Sequence, residues 1–281
     1  MPASFGESLH RTFASHGQLC IGLDPHAEIL ESWGLTDDAN GLESFSMTVL
    51  DQLDGKVGII KPQVAFYERF GSSGYGVLER VLKQASEMNL LVIADAKRGD
   101  IGSTMIGYLD AWLGRASSLP SSALTVSPFL GLESITTLLN PFLERGKGIF
   151  ALVATSNPEG ASVQTASTTT GQLDESLFSE LDRINSVTAH ADHLGSLGVV
   201  VGATLSAQRL GFLRNSSGRT PILAPGFGAQ GARLEDVTRV FGEASKQVIA
   251  TVSRSVLEAG PHGLGDAIDR AQEQLRTGLE D

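Results

Sequence analysis

Residues 90–104, LLVIADAKRGDIGST, decide how this chain folds. Leu90, Leu91, Val92, Ile93 and Ala94 form an apolar run with no polar face, as a strand buried on both sides requires. Asp95, Lys97, Arg98 and Asp100 then follow within six positions. Strand side chains alternate, so Asp95 and Lys97 point the same way if the strand persists to Lys97. Gly99 breaks the strand, Asp100 suits a helix N-cap, and Ser103 and Thr104 fall in the first turn. Charges crowded at the end of a buried strand are costly unless paired. Two readings follow: a structural ion pair, or a catalytic carboxylate and ammonium that tune each other's pKa.

Working outward, the same pattern recurs. Strands are expected near 19–23 (in LCIGLDP), 57–60 (in VGIIKPQVAFYERFG), from 90 in the opening stretch, and in ALTVSPF, GIFALVATSN, GVVVGAT, PILAPGFGAQG and QVIATVSRS. Between them, apolar residues at helical spacing predict helices near 41–53, 76–88, 101–115, 131–143, 173–194, 206–214, 233–242 and 263–277, after a short outer helix at 3–15. Residues 158–172, PEGASVQTASTTTGQ, have no apolar period and read as a long loop. No linker or composition break divides the chain, so residues 1–281 are expected to form a single domain. Strands alternating with helices imply parallel pairing. Eight such units in about 250–300 residues fit an α/β fold of the (β/α)8 TIM-barrel type, with a doubly wound open sheet as the alternative. The barrel also explains why Asp24, Lys61, Asp95, Lys97, Ser127, Ser156, Gln230 and Arg254 fall at strand C-terminal ends. Barrel enzymes build their sites on that face, which favours the catalytic reading of Asp95 and Lys97.

Composition bounds the function. The chain is 41% hydrophobic with 32 glycines, as in a globular α/β protein. Its single Cys20 excludes an intramolecular disulfide, suits a reducing compartment and reads as buried filler. The N-terminus lacks a signal-peptide pattern, and no apolar run reaches membrane-span length. A soluble, cytoplasmic protein is expected. A formal charge of −11 argues against nucleic acid and requires local basic groups for any anionic substrate.

Gly226-Phe-Gly228-Ala-Gln-Gly231 matches GxGxxG after a strand and, taken alone, suggests a dinucleotide site. It follows the seventh strand, however, and the eighth ends in Ser253 and Arg254, with no acidic residue for a ribose diol. Barrels commonly bind phosphate with these two loops. Exposed glycine N–H groups together with Arg254 would suit a phosphate monoester, whereas the plain alternative is that the glycines only form turns. His190 and His193 could share a helix face, but no third metal ligand accompanies them. Trp33 and Trp112 give no basic-aromatic pattern.

DAKRGDIGST resembles the signature of the orotidine 5′-phosphate decarboxylase family, Asp-x-Lys-x-x-Asp followed by Ile-x-x-Thr. GLDP at 22–25, Lys61 in IIKPQ, FYERFG, TVSPFLG, Ser156 in ATSN, PGFGAQG at 225–231 and Ser253-Arg254 are similar to it as well. The length and the loop after the fifth strand resemble the larger-chain bacterial branch. Asp-x-Lys-x-x-Asp alone also occurs in related sugar-phosphate decarboxylases and synthases. The resemblance implies decarboxylation of orotidine 5′-monophosphate to UMP, the last step of de novo pyrimidine nucleotide synthesis. It implies Lys97 as proton donor to C6, Asp95 against the departing carboxylate, and Lys61 in the charge network, reaching the ribose with Asp24. Ser156 would contact the pyrimidine, and Gln230 and Arg254 the phosphate. Asp100, Ile101 and Thr104 would enter the neighbouring subunit's site, so a homodimer with shared sites is expected. No cofactor or metal is called for: the charge that stabilises a C6 carbanion would come from the protein. Three alternatives remain: a metal-dependent sugar-phosphate decarboxylase or aldolase of the same barrel group, a non-catalytic binder of phosphorylated nucleotide, and a dinucleotide-dependent oxidoreductase.

Overall fold

Eight apolar runs become the strands β1 (Leu19–Leu23), β2 (Ile59–Pro62), β3 (Leu91–Arg98), β4 (Ala123–Val126), β5 (Gly148–Ala154), β6 (Leu197–Val201), β7 (Ile222–Pro225) and β8 (Val248–Val252). The computed structural model describes residues 2–53, 55–190 and 193–280. Every strand pairs in parallel with its sequence neighbours, and β8 returns to β1 to close a barrel. The pairing of Leu19 with Ala250 excludes the open doubly wound sheet.

Alternation along the strands sorts the core into two shells. Inward-facing Cys20, Ile59, Ile93, Ala123, Phe150, Val200, Leu223 and Ile249 form one cluster. Their outward neighbours, Ile21, Ile60, Val92 and Leu124 among them, pack under the helices in a larger one. Cys20 is therefore filler, and burial pushes its thiol up to about 12. Two residues beyond Ile59, Ile93, Ala123 and Ile249 the inward rows turn polar, at Lys61, Asp95, Thr125 and Thr251, all buried. The site thus stands directly on the barrel's apolar filling.

The helix expected on the outside at 3–15 instead closes the barrel's N-terminal end. It spans Phe5–His16 and starts with a capping box between Ser4 and Glu7. Phe5 and Leu9, one turn apart, are fully buried in the inner cluster, where Phe5 meets Phe150 edge-on at 5.8 Å. Phe150 fits because Gly198 opposite has no side chain: a Cβ there would lie 2.3 Å from the ring. Gly198→Ala is therefore expected to cost about 3 kcal/mol through overpacking, read as a lower urea midpoint. An unchanged midpoint would show that the ring has room to move.

Several outer elements differ from expectation. The segment after β4 holds only single turns, Glu133–Thr136 and Asn140–Leu143, because Pro141 cannot donate to the preceding turn. Between β6 and β7 a 3-10 turn, Gly211–Asn215, replaces the helix near 206–214. The helix expected at 233–242 is a 3-10 turn running into Val237–Phe241, stopped at Gly242 with φ 56°. Residues 158–172 hold two short turns and a two-stranded hairpin, Ser167–Thr168 with Gly171–Gln172. The helix begun at Leu173 ends at Thr188, so His190 and His193 share no helix face. His193 instead sits edge-on to His10, at 5.0 Å.

Candidate active site

Lys61 and Asp95 occupy the first polar layer above Ile59 and Ile93. Lys61 Nζ lies 3.1 Å from Asp95 Oδ2 and 3.6 Å from Asp24 Oδ1, the latter delivered by the segment after β1. Lys97 Nζ donates to Asp95 Oδ1 at 2.6 Å. Asp24, Lys61, Asp95 and Lys97 thus alternate in sign along one wall. Burial alone would raise the Asp95 pKa, but the ammoniums of Lys61 and Lys97 outweigh it and hold the carboxyl far below the usual range. Burial would likewise lower Lys61, yet Asp24 and Asp95 keep it above the usual lysine range. Burying ions costs several kcal/mol each, and apolar replacements of such arrays are commonly neutral or stabilising. Stability therefore gives a weak reason for this array, and chemistry a stronger one.

Strand β3 reaches Lys97, but not regularly. Ala94 pairs with Leu124 and Arg98 with Val126, so β3 bulges between them. Lys97 takes a left-handed backbone, φ 49°, unusual for a residue with a side chain. Its N–H donates to Thr125 Oγ1 at 2.9 Å, and that hydroxyl lies 3.0 Å from Asp95 Oδ1. The bulge aims an ammonium, 44% exposed, into the mouth. Asp100 does not cap the following helix. That role falls to Ile101, without a side-chain bond, while Asp100 Oδ1 accepts from the Ile101 N–H at 2.8 Å.

The array lines a cavity of about 400 Å³ at the strands' C-terminal ends. Gln230 and Arg254 line the same cavity from the segments after β7 and β8, with Gly226, Ala229 and Ser253. Asp24 Oδ1 and Ser253 Oγ are buried without a hydrogen-bond partner among the described residues, as open positions for a polar ligand would be. Ser156 Oγ reaches across to Gln230 Oε1 at 3.1 Å, joining the loops after β5 and β7. Nearby, Gln164 bonds both the Thr155 N–H and Thr155 Oγ1, and Arg209 ties Gln164 to buried Asp174. The glycine motif needs a correction. Gly228 N donates to Ala232 O and Gly231 N to Gly228 O, so those N–H groups close the loop and do not face a phosphate. The glycines supply turns, with φ of 117°, 75° and 103° at Gly226, Gly228 and Gly231.

Asp100, Ile101 and Thr104 lie outside this cavity's lining, and Ile101 is 60% exposed. The structure brings Asp24, Lys61, Asp95, Lys97, Gln230 and Arg254 together in one chain, with Ser156 attached through Gln230. Sequence reading missed Gln63 and Thr125, which both bond Asp95. Their signal was strand parity, Gln63 two after Lys61 and Thr125 two before Ser127.

The orotidine 5′-phosphate decarboxylase / HUMPS family model matches residues 17–263. A protein named orotidine 5′-phosphate decarboxylase from Salinispora tropica is 46% identical over 278 residues, spanning 98% of both chains. Its namesake from Streptomyces coelicolor is 46% identical over 281 residues, again over 98% of each. A crystal structure from Streptomyces avermitilis, of a protein provisionally given the same name, superimposes with TM-score 0.93 at 45% identity over 100% of this chain and 97% of that one. With a family model over most of the chain and near full-length relatives at such identity, the chain belongs to the orotidine 5′-phosphate decarboxylase / HUMPS family.

Proposed function

We propose that this chain decarboxylates orotidine 5′-monophosphate to UMP, the last step of de novo pyrimidine nucleotide synthesis, through the Lys61–Asp95–Lys97 array. The observation that carries this reading is the ammonium of Lys97, fixed 2.6 Å from Asp95 at the cavity mouth. The C6–carboxylate bond breaks, CO2 departs, and the electron pair stays on C6. Lys97 delivers a proton to that carbon and is reprotonated from solvent. A preorganised ammonium stabilises developing negative charge without reorganising during the step. Asp95 faces the departing carboxylate. Asp24 and Lys61 take the ribose hydroxyls, which suits an Asp24 Oδ1 that has no hydrogen-bond partner among the described residues. Ser156 meets the pyrimidine, and Gln230 and Arg254 hold the phosphate, whose remote binding energy is available to the reacting centre. The protein supplies the charge here, with no cofactor or metal, in a reducing cytoplasm, and the partner is a small nucleotide and not a nucleic acid.

The working unit in this reading is a homodimer. Ile101 and Phe129 are 60% and 81% exposed, and Ile106 and Leu130 are exposed beside them in the segments after β3 and β4. Such an apolar surface beside a mouth is an association site. Gly99 approaches Ser127 so closely that a Cβ would lie 2.5 Å from its carbonyl oxygen, which sets the two segments edge to edge. A second copy on this edge receives Asp100, Ile101 and Thr104 into its own site.

The Asp-x-Lys-x-x-Asp pattern is shared with related sugar-phosphate decarboxylases, so the assay must separate the two chemistries. Loss of the absorbance of orotidine 5′-monophosphate is expected to proceed at an unchanged rate in excess chelator. A strict requirement for a divalent metal would favour the sugar-phosphate reading, and UMP binding without turnover would leave only a nucleotide binder.

A further inference from the structure

We propose that Gln63 is a positioning residue for the decarboxylation step, its amide bridging Asp95 and Lys97 and fixing the angle between them. The inference rests on the roles given above to those two residues. Gln63 Nε2 donates to Asp95 Oδ2 at 3.0 Å, and Gln63 Oε1 faces Lys97 Nζ at 3.5 Å. Only one amide orientation is compatible with these neighbours. A carboxylate only accepts and an ammonium only donates, so the flipped amide would oppose both.

The backbone fixes where this amide stands. Pro62 ends β2, yet Gln63 continues the inward row, bridging to Asp95 across the barrel wall. Its N–H donates to Leu23 O at 3.1 Å, and the next residue, Val64, donates to Asp95 O at 3.3 Å. Gln63 is therefore registered against the backbone of the carboxylate it binds.

Among the described residues, the Asp95 carboxylate has four donors. Lys61 Nζ and Gln63 Nε2 reach Oδ2, whereas Lys97 Nζ and Thr125 Oγ1 reach Oδ1. Removing Gln63 leaves each carboxylate oxygen with a partner, so no buried charge is stranded and the loss of stability is small. Aim is affected more. The two ammoniums sit on flexible stems, whereas a planar amide has a fixed direction. Without it, the half-exposed Lys97 keeps one anchor and is free to swing about Asp95 Oδ1. Asp95, no longer held in plane, rotates with it.

The test uses full-length enzyme and two variants. Gln63→Met keeps the volume and removes the amide. Its kcat is expected to fall roughly 10- to 100-fold, as for a reacting group displaced by about 1 Å, with KM changed less than about threefold. Exchange of the C6 hydrogen of UMP in deuterated water, which needs the Lys97 proton but releases no CO2, is expected to slow by the same factor. Gln63→Glu keeps the shape and the acceptor towards Lys97 but sets oxygen against Asp95. Its turnover is expected to recover as the pH is lowered, because the protonated acid regains a donor. Turnover of Gln63→Met within twofold of wild type, a loss confined to KM, a wild-type exchange rate, or no acid recovery of Gln63→Glu would each overturn the proposal. Lys97→Ala run alongside separates the two failures. If it too retains turnover, the catalytic array is misassigned. If it is inactive while Gln63→Met is normal, Gln63 alone is.

Discussion

Lys97→Ala is expected to lower turnover of orotidine 5′-monophosphate by at least roughly 10⁴-fold while leaving UMP binding largely intact. In the proposed reaction, the substitution removes both the ammonium opposite the developing charge and the proton that C6 would receive. The groups assigned to phosphate in the proposed reading, Gln230 and Arg254, stand on other strand ends and are untouched. The variant should fold. Asp95 keeps Lys61, Gln63 and Thr125 as partners, and alanine meets the same left-handed backbone that lysine already tolerates. The sign of the pH effect supports an assay near neutrality. A carboxyl whose folded pKa is depressed contributes stability above the unfolded value, about 3.9, and loses it as the pH falls towards the folded value. At neutral pH the wild-type Asp95 is thus charged, and the Lys61 ammonium remains beside it in the variant. Turnover and calorimetric UMP affinity measured on the same preparation decide the matter. Near-normal turnover would remove Lys97 from the chemistry, and equal losses in both would make it a binding group.

What could be read from the sequence followed from strand parity. Asp95 and Lys97 declared themselves because a buried strand admits charges only at its end, and Lys61 because it follows directly on the apolar run that ends at Ile60. The same parity pointed to Gln63 and Thr125, which were overlooked because a neutral amide and a hydroxyl raise no desolvation alarm. The bulge at Lys97 left no local mark. Left-handed backbone is usually announced by glycine or asparagine, and here it is held on a lysine by the Thr125 hydroxyl from the next strand. Phe5 and Leu9 show the same limit at larger scale. Their spacing specifies an amphipathic helix, but which layer it covers depends on the gap left by Gly198 and the ring of Phe150, far away in sequence. Pro141 did carry a local signal, and its missing N–H outweighed the apolar spacing around it. In the glycine motif, a pattern associated with open N–H groups, the N–H groups of Gly228 and Gly231 instead close the loop on itself.

Mixing Asp100→Ala with Lys97→Ala subunits is expected to restore activity that neither variant has alone. If each site joins Lys97 of one subunit to Asp100 of the other, a heterodimer holds one intact site and one doubly defective site. Random reassortment makes half the dimers mixed, so recovery should approach about a quarter of wild-type activity. The geometry favours this arrangement over one in which Asp100 serves its own chain. Asp100 Oδ1 is turned to the adjacent Ile101 N–H, and neither residue lines the cavity that holds Lys97. Ile101 and Phe129 stand exposed at that same edge, where a second copy would cover them. Charge points the same way. Lys97 draws one close carboxylate from its own chain, Asp95, and an approaching Asp100 would confine the ammonium from the other side. The experiment requires heterodimers verified by differential tagging, since failure to exchange subunits would imitate a negative. Verified heterodimers with no recovery would place Asp100 in its own subunit's site. Recovery also requires the Asp100→Ala homodimer to be nearly inactive, and substantial activity there would show that the array works without the neighbour's carboxylate.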